Sequence, residues 1–512
     1  MQRNIFRFLL ALFLALPLFS QPAALGDLDD YIQRAMRTFD VPGVAVAIVK
    51  DGQLVLAKGY GVRKLGESAS VDARTLFGIG SNTKAFTTAS LGILVDEGKL
   101  SWDDRVVDRL PGFQMYDPYV THEMTIRDLL THRSGLGLGA GDLLFFPPSS
   151  YTRDEIVAKL RYIKPESSFR SKYAYDNLLY MVAGQIIAAV SGKQWSDFIK
   201  ERIFAPVGMN ESNTNAADFE AGGNFAAPHS EVEGKLQPIP PATIDNLAPA
   251  GAINSSVSDM AKWMIVQFGG GKSLFSRSVG KEMWTAQTIL PVGDPPPALA
   301  ALKTNFAAYG LGWILSEYRG YKKVGHDGGL PGYVSRVALI PDLKLGVVVL
   351  TNQEASGILS AIAYRILDSY LGAQPTDWTT AFHDLTEKDK TQAAEIEKRQ
   401  SGKRNADSKP ALPLEKYAGE YADAWYGDIA ITMESRGLVM RFSHSPALTG
   451  DLEHWQYNTF KARWRDRSLA ADAFVTFSLN PDGSINQIKM VPVSPLTDFS
   501  YDFQDLLITP KK

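Results

Sequence analysis

Residues 77 to 86 read FGIGSNTKAF, and the interpretation of the whole chain starts from this stretch. After the Gly-x-Gly run, apolar residues over Thr83–Glu97 recur at the spacing of a mostly buried helix. Ser81 and Lys84 stand three residues apart at the start of this helix and therefore share one face. A serine hydroxyl attacks well only when a neighbour accepts its proton, and a buried lysine can be neutral enough to do so. The stretch predicts a nucleophilic Ser81 activated by Lys84.

The Ser-x-x-Lys pattern is weak by itself, because a helix-capping serine followed by a solvated lysine is common in long chains. Two further elements occur later. Tyr175 and Asn177 form Tyr-x-Asn, and His326 and Gly328, followed by Gly329, form His-x-Gly-Gly beside a late predicted strand. A core tyrosine and a helix-capping asparagine are the structural alternatives for the first pair.

In this order the three elements resemble the signature motifs of the serine β-lactamases and penicillin-binding proteins. Segments at residues 94–104, 125–136 and 249–253 look like recurrent segments of the class C branch of that superfamily. The resemblance covers roughly residues 27–375 and is nearest to the D-peptidases and esterases of the branch. It implies a reaction that needs no cofactor.

The resemblance implies a role for each residue that matches a motif. Ser81 is expected to form the acyl-enzyme, with Lys84 and the Tyr175 phenol as the proton relay. Tyr175 would then protonate the leaving group. For the phenol itself to act as a base, a flanking cation such as Lys84 would have to stabilise the phenolate.

The remaining matched residues are expected to bind the substrate. Asn177 would orient Lys84 and bind the amide carbonyl of a peptide-like substrate. The backbone N–H groups of Ser81 and Gly329, next to Gly328, would form the oxyanion hole. His326 departs from the pattern, because penicillin-processing members usually carry lysine there to meet a substrate carboxylate. A histidine is largely neutral at pH 7, so we expect weak or negligible β-lactamase activity.

The expected function is hydrolysis of an ester or an amide bond through an acyl-enzyme, with D-amino-acid peptides or small esters as substrates. One alternative is a penicillin-binding D,D-carboxypeptidase or a true β-lactamase. Another is a catalytically weak binding or sensor protein that keeps the fold. The motifs do not choose a substrate, because the loops around a cleft set specificity.

The order of predicted elements gives an α/β catalytic domain over residues 27–378. Helical patterns fill residues 100–300, and they separate two groups of elements on either side. An opening helix at 27–39 and a hairpin at 44–49 and 54–57 precede the helical region. Late strands at 310–315, 334–340 and 346–351 and a helix at 358–371 follow it. We predict an antiparallel sheet flanked by helices, with an inserted all-helical subdomain. The loop at 137–151 is predicted to be a mobile rim of the cleft.

Beyond the catalytic domain the composition changes. Residues 379–412 are rich in charged and polar side chains and predict a solvated, partly helical linker. Residues 413–512 contain short β-type runs and a crowd of aromatic residues, which predict a small antiparallel barrel of the lipocalin-like kind often appended to such hydrolases.

The first 26 residues predict a secretory signal peptide. Arg3 and Arg7 precede an apolar run over Phe8–Phe19, which is too short for a bilayer span of about 20 residues. A single membrane span is the competing interpretation. We expect export to the periplasm or the medium, and no membrane span once the signal is removed.

The composition argues against several other classes of function. With 53 basic and 56 acidic residues the net charge is -3, so nucleic acid is not expected as a partner. The chain has no cysteine, and its seven histidines show no metal-binding spacing, so no metal site is expected. His132 is interpreted as structural. The expected partner is a small-molecule or peptide substrate, and a homo-oligomer is left open.

Overall fold

The computed structural model describes residues 25–269 and 273–511. All but the last two residues of the predicted signal peptide lie outside the described residues. The α-helices are α1 Leu28–Thr38, α2 Thr83–Asp96, α3 Val106–Arg109, α4 Pro118–Glu123, α5 Ile126–Leu129, α6 Arg153–Lys159, α7 Leu178–Ser191, α8 Trp195–Ile199, α9 Ala205–Val207, α10 Ala216–Ala221, α11 Ala248–Gly251, α12 Val257–Gln267, α13 Arg277–Met283, α14 Ser356–Leu371 and α15 Trp378–Gly402.

The strands before residue 400 form one large sheet and two short antiparallel pairs. They are β1 Gly43–Lys50, β2 Gln53–Gly61, β3 Phe77–Gly78, β4 His229–Val232, β5 Lys235–Pro238, β6 Asn254–Ser255, β7 Thr288–Leu290, β8 Ala307–Tyr309, β9 Ile314–Tyr318, β10 Tyr321–Leu330, β11 Tyr333–Ile340 and β12 Leu345–Thr351. The sheet is antiparallel in the order β2-β1-β12-β11-β10-β9-β8-β7. The predicted fold class is confirmed.

The centre of this sheet is apolar on both faces. Strand β1 is buried along almost its whole length, because α1 and α14 cover one face while α12 and the helical insert cover the other. A fully buried strand reads as a continuous apolar run rather than an alternating one. The insert between β2 and β7 is mostly helical and also carries the short pairs β3–β6 and β4–β5.

Two details of the sheet differ from the sequence predictions. The predicted strand at 310–315 is a turn followed by β9, because Gly312 adopts a positive φ of 79° where a side chain would meet Thr88. Strand β10 was not predicted, since its sequence YKKVGHDGGL is polar and rich in glycine. His326 therefore lies within a central strand rather than beside one.

The C-terminal strands form a second eight-stranded antiparallel sheet that nearly closes into a barrel. The strands are β13 Gly419–Asp423, β14 Gly427–Glu434, β15 Gly437–Phe442, β16 Thr449–Gln456, β17 Thr459–Trp464, β18 Ala473–Leu479, β19 Ile485–Pro492 and β20 Thr509–Pro510. A bridge between Ile488 and Ile508 brings the two edges together. The predicted barrel is confirmed, and Phe460 and Trp464 are among the aromatic residues of its core. Of the other aromatic residues on these strands and turns, Trp455 is partly exposed and Tyr457 is well exposed.

The segment predicted as a linker is largely the helix α15. Trp378 and Phe382 in its first turn pack on Tyr364 of α14, whereas its later turns are exposed. Among the described residues, no helix combines the length and the hydropathy that a bilayer crossing requires.

The barrel domain packs directly on the helical insert. Tyr151 stacks on His444 with ring centroids 3.7 Å apart and donates a hydrogen bond to the carbonyl of Tyr426. The loop at 137–151, predicted as a mobile rim, is instead largely buried, with Leu143 and Phe145 almost fully covered. The C-terminal domain covers part of this loop, with Phe499 against Gly139 and Tyr501 against Phe146, and the mobility of the loop stays a prediction.

Candidate active site

Ser81 lies in a single 3₁₀ turn, Gly80–Asn82, that leads directly into α2. The Ser335 hydroxyl of β11 donates to the carbonyl of Ile79 at 2.7 Å and accepts from the Asn82 amide at 2.8 Å. Ser81 is partly exposed while its neighbours along α2 are buried. The turn is therefore fixed to the sheet on both sides of the serine, whose hydroxyl remains accessible.

Lys84 lies one helical turn after Ser81 and is completely buried. Its Nζ is 2.7 Å from Asn177 Oδ1, 3.2 Å from the Ala250 carbonyl oxygen and 3.1 Å from Ser81 Oγ. The first two partners can only accept, so they take two N–H bonds and leave the third position of the nitrogen directed at Ser81. In the neutral amine that position is a lone pair, which can accept the serine proton.

Burial lowers the pKa of Lys84 to about 7, against the opposing effect of Asp142 and Asp176. A substantial fraction of the lysine is therefore neutral near neutral pH. This is the property that a general base next to a serine requires.

Tyr175 lies against the same lysine, with its ring centroid 4.8 Å from Lys84 Nζ. Burial raises the pKa of Tyr175 well above its usual value, and the Ser81 hydroxyl opposes only part of that rise. The phenol is neutral, so the expectation that it could act as a phenolate base is not favoured. Among the described residues the phenolic oxygen makes no hydrogen bond of good geometry, although the Ser81 hydroxyl lies close enough to affect its pKa, so its proton is free to be donated.

Asn177 links Lys84 to a second buried group. Its Oδ1 accepts from Lys84, and its Nδ2 donates to Asp142 Oδ2 at 2.9 Å. Asn177 occupies the N-cap position of α7, but its side chain makes no capping hydrogen bond, and Asp176 accepts the N–H of Leu179 instead. The side chain is placed to orient the lysine, and one amide N–H remains for a substrate carbonyl.

His326 is buried on β10 and is held as a neutral ring. Its Nδ1 donates to the Asp327 carbonyl at 2.5 Å, so Nε2 accepts from the Tyr309 hydroxyl at 2.9 Å. Burial lowers the pKa of His326 to about 3, and the nearby Lys84 adds to the effect. This position offers no cation to a substrate carboxylate.

Glycine is required where β10 crosses the serine turn. A side chain at Gly328 would collide with the Ile79 carbonyl oxygen, and a Cβ at Gly80 would lie 2.8 Å from the Gly329 nitrogen. By contrast, the space beside Gly329 is open. The backbone of Gly329 therefore lies against the Ser81 turn with open space beside it, which is the placement expected of an oxyanion-hole partner.

Some residues at the site were missed or given no role from the sequence. His132, interpreted as structural, packs its ring 4.2 Å from that of Tyr175, and its Nδ1 accepts the N–H of Asp176. Tyr309 and Asp142 carry no motif that would have identified them. The ring of Phe499 in the C-terminal domain lies edge-on to Tyr175 at 6.0 Å. Only the fold brings these residues to the site.

The described residues form no group of three or more histidine or acidic side chains that could hold a metal ion. An accessible serine, a buried lysine and a neutral tyrosine beside the central strands of an antiparallel sheet together define the class of penicillin-recognising serine hydrolases. The Beta-lactamase family model matches residues 28–370, and the model named Domain of unknown function (DUF3471) matches residues 403–510.

Known proteins agree with this classification. Unguisins hydrolase ungD' of Aspergillus campestris is 32% identical over 435 residues, which cover 81% of this chain and 79% of the relative. The octameric penicillin-binding protein homologue from Pyrococcus abyssi matches with a TM-score of 0.60 and 24% identity, covering 94% of this chain and 99% of the other. A class C beta-lactamase matches with a TM-score of 0.55 and 21% identity, covering 68% and 96%. The chain belongs to the Beta-lactamase family, whose members are serine hydrolases.

Proposed function

We propose that this chain hydrolyses ester or amide bonds through an acyl-enzyme on Ser81, and that its substrates are D-amino-acid peptides or small esters. The observation that carries the proposal is the hydrogen bonding of Lys84, whose two acceptor-only partners leave one position of its nitrogen directed at Ser81 Oγ. A proton acceptor so placed activates the hydroxyl.

The reaction follows from this arrangement. Lys84 takes the proton of Ser81 as Oγ bonds to the carbonyl carbon, and the N–H groups of Ser81 and Gly329 stabilise the oxyanion. Tyr175 gives its proton to the leaving group and recovers one from the protonated Lys84. In the second half, Lys84 takes a proton from water as the water oxygen attacks the acyl carbon, and it returns that proton to Ser81 Oγ as the bond to serine breaks.

We expect substrates that place no carboxylate beside the third motif, because His326 offers no charge there. The ring is neutral and its two nitrogens are occupied by Asp327 and Tyr309. A β-lactam carboxylate would find no charge here. The name of the relative from Aspergillus campestris, a hydrolase, supports turnover rather than binding alone.

The proposal is tested by a panel of nitrophenyl esters, D-alanyl peptides and a chromogenic cephalosporin. We expect hydrolysis of esters or D-peptides, with a loss in Ser81→Ala of about 10⁴-fold or more in kcat. Ser90→Ala is the matched control, because Ser90 lies on the same helix and bonds only to the carbonyl of Phe86. Equal activity in the wild type and Ser81→Ala would refute the proposal.

The same panel distinguishes the rival functions. A long-lived fluorescent penicillin label on Ser81 indicates a penicillin-binding carboxypeptidase, and rapid loss of the cephalosporin indicates a β-lactamase. Failure of a serine-directed phosphonate to label the protein indicates a binding or sensor protein.

Two further properties are proposals. We propose that the protein is exported, on the basis of the signal peptide expected at residues 1–26. Cell fractionation with N-terminal sequencing of the mature protein tests this. We also propose a homo-oligomer, since the Pyrococcus abyssi homologue is octameric, and light scattering on a sizing column gives the mass.

A further inference from the structure

A chain of three hydrogen bonds runs from the C-terminal domain to the proposed catalytic lysine. Ser500 Oγ donates to Asp142 Oδ2 at 2.9 Å, Asn177 Nδ2 donates to the same oxygen at 2.9 Å, and Asn177 Oδ1 accepts from Lys84 at 2.7 Å. All four side chains are buried. Of the four, the proposed reaction assigns a part to Lys84 and Asn177 only.

Asp142 determines which way the Asn177 amide faces. A terminal amide rotates between two nearly equivalent orientations, so either its oxygen or its nitrogen can face Lys84. Because Asp142 Oδ2 is an acceptor, it binds the amide nitrogen and leaves the oxygen for the lysine. Without this acceptor the amide could present N–H groups to the N–H groups of Lys84, and the lysine would lose one of its two fixed acceptors.

The C-terminal domain holds Asp142 in place from both sides. Asp502 accepts the backbone N–H of Gly141 at 2.6 Å and that of Leu143 at 3.1 Å, so both residues next to Asp142 are fixed by one carboxyl group. Ser500 binds the Asp142 side chain itself. The position of this acceptor therefore depends on residues of the barrel domain.

We propose that Asp142 is a positioning residue for the Ser81–Lys84 pair. We also propose that Ser500 and Asp502 of the C-terminal domain hold Asp142 in the position that catalysis requires. The inference rests on the proposed function of Ser81 and Lys84. It predicts that changes more than 350 residues away in sequence alter the proton transfer at Ser81.

The charged groups around this chain determine the expected pH behaviour. Asp142 and Asp176 raise the pKa of Lys84 against burial, while His132 and His326 face the lysine as neutral rings. Asp142 itself faces Lys84, Asp498 and Asp502. Burial raises the pKa of Asp142 well above its usual value. In the pH range where Asp142 is ionised it raises the pKa of Lys84, so its removal should move the acid limb of the rate profile to lower pH there.

The test compares Asp142→Ala, Asp142→Asn and Ser500→Ala in the full chain, with the best ester or D-peptide of the substrate panel. We expect Asp142→Ala to lower kcat about 100-fold with little change in KM, because a misplaced catalytic group costs about that much. Asp142→Asn should recover at least part of this loss, since its amide oxygen can still accept from Asn177. Ser500→Ala should lower kcat several-fold, and Ser484→Ala, at an exposed turn of the barrel, should not.

Three results would overturn the inference. These are wild-type kcat in a folded Asp142→Ala variant, an equal loss in the Asn and Ala variants, or wild-type kcat in Ser500→Ala. If Asp142→Ala does not fold by circular dichroism, Ser500→Ala decides, together with the position of the acid limb in Asp142→Asn. Activity that survives Ser81→Ala would instead refute the proposed function, so the two failures are distinguishable.

Discussion

The two walls of the active site are built in different ways. On one side, β10 crosses the Ser81 turn by backbone contact, and glycines at positions 80 and 328 allow the close approach. On the other side, the loop around Asp142 is completed by side chains of another domain, namely Phe499, Ser500 and Asp502. The first wall has no room for a side chain at positions 80 and 328, whereas the second is formed by side-chain contacts. We infer that the first wall holds the oxyanion site in place. The second wall determines substrate specificity and the position of Asp142.

Lys84 lies between the two walls, and its substitution should have the largest effect on kcat. Lys84→Arg places a guanidinium, which stays protonated, where a neutral base is needed, so kcat should fall by up to about 10⁴-fold. In the wild type, kcat/KM should rise as the pH increases through about 7, because the neutral amine is the active form. Below about pH 7 Lys84 is mostly protonated, so kcat/KM should fall. Steady-state ester hydrolysis by both proteins between pH 5 and 9 measures kcat and kcat/KM.

A profile that stays flat from pH 5 to 9 would contradict Lys84 as the base. So would recovery of the Lys84→Arg activity at high pH, since the guanidinium cannot be deprotonated there.

The glycine wall is tested by a pair of adjacent substitutions. Gly328→Ala should lower kcat/KM by about 10³-fold, because the new methyl group collides with the Ile79 carbonyl and displaces the oxyanion site. Gly329→Ala meets no atom nearby and should leave the free energy of unfolding within about 0.5 kcal/mol. Urea unfolding and ester kinetics measure the two quantities. If the two variants behave alike, close backbone contact is not what restricts this wall.

His326→Lys changes the charge of the same wall without changing its backbone. A second ammonium group would face Lys84 and would offer a charge to a substrate carboxylate. We expect carboxylate-bearing β-lactams to acylate the variant about tenfold faster, a difference of about 1.4 kcal/mol in the barrier. Acylation of Ser81 by a fluorescent penicillin measures the rate, with His326→Gln as the uncharged control. No gain over that control would contradict the assigned role of this position.

The wall from the C-terminal domain is tested at Phe499. Its ring packs on Tyr175 and against Gly139 while 41% of the residue remains exposed. Phe499→Ala should raise KM about fivefold for esters of large apolar acids and leave KM for acetate esters unchanged. Phe474→Ala is the control, since that ring contacts Trp455 on the barrel instead. An equal change for all acyl sizes would contradict a role in specificity.

The smallest effect is expected at the exposed edge of the domain contact. Glu233 forms ion pairs with Arg463 and Arg467 of the barrel at 3.4 and 3.5 Å. Because exposed pairs contribute little, Glu233→Ala should change the free energy of unfolding by less than about 1 kcal/mol and leave kcat unchanged. A larger loss would show that the domains are held together at this edge rather than around Asp142 and Asp502.

The same two walls show what the sequence could and could not predict. Ser81 and Lys84 are three residues apart on one helix, so local spacing alone predicted their contact. Tyr175, Asn177 and His326 were found through the resemblance of their motifs to a known family. Asp142 and Phe499 belong to no motif, and their place at the site depends on how the barrel docks. No local pattern specifies a contact of that kind.

Secondary structure was predictable where burial alone determined the residue type. The buried strand β1 and helix α14 were found from their apolar residues, because burial dominates there. Strand β10 was missed since glycines and polar residues, which are needed for close contact with the Ser81 turn, disguise it as a loop. The helix α15 was predicted only in part, as a partly helical linker, because its polar composition is equally typical of a solvated segment.

The hydrogen bond between Asp142 and Ser500 spans 358 residues of chain. At translation rates of about 5 to 20 residues per second, the ribosome needs roughly 20 to 70 s to deliver the second partner after the first. A nascent polypeptide can thus fold its helical insert long before the barrel exists. Acyl transfer by a newly made molecule should accordingly reach its full rate only after synthesis has reached the barrel, later than the folding of the first domain.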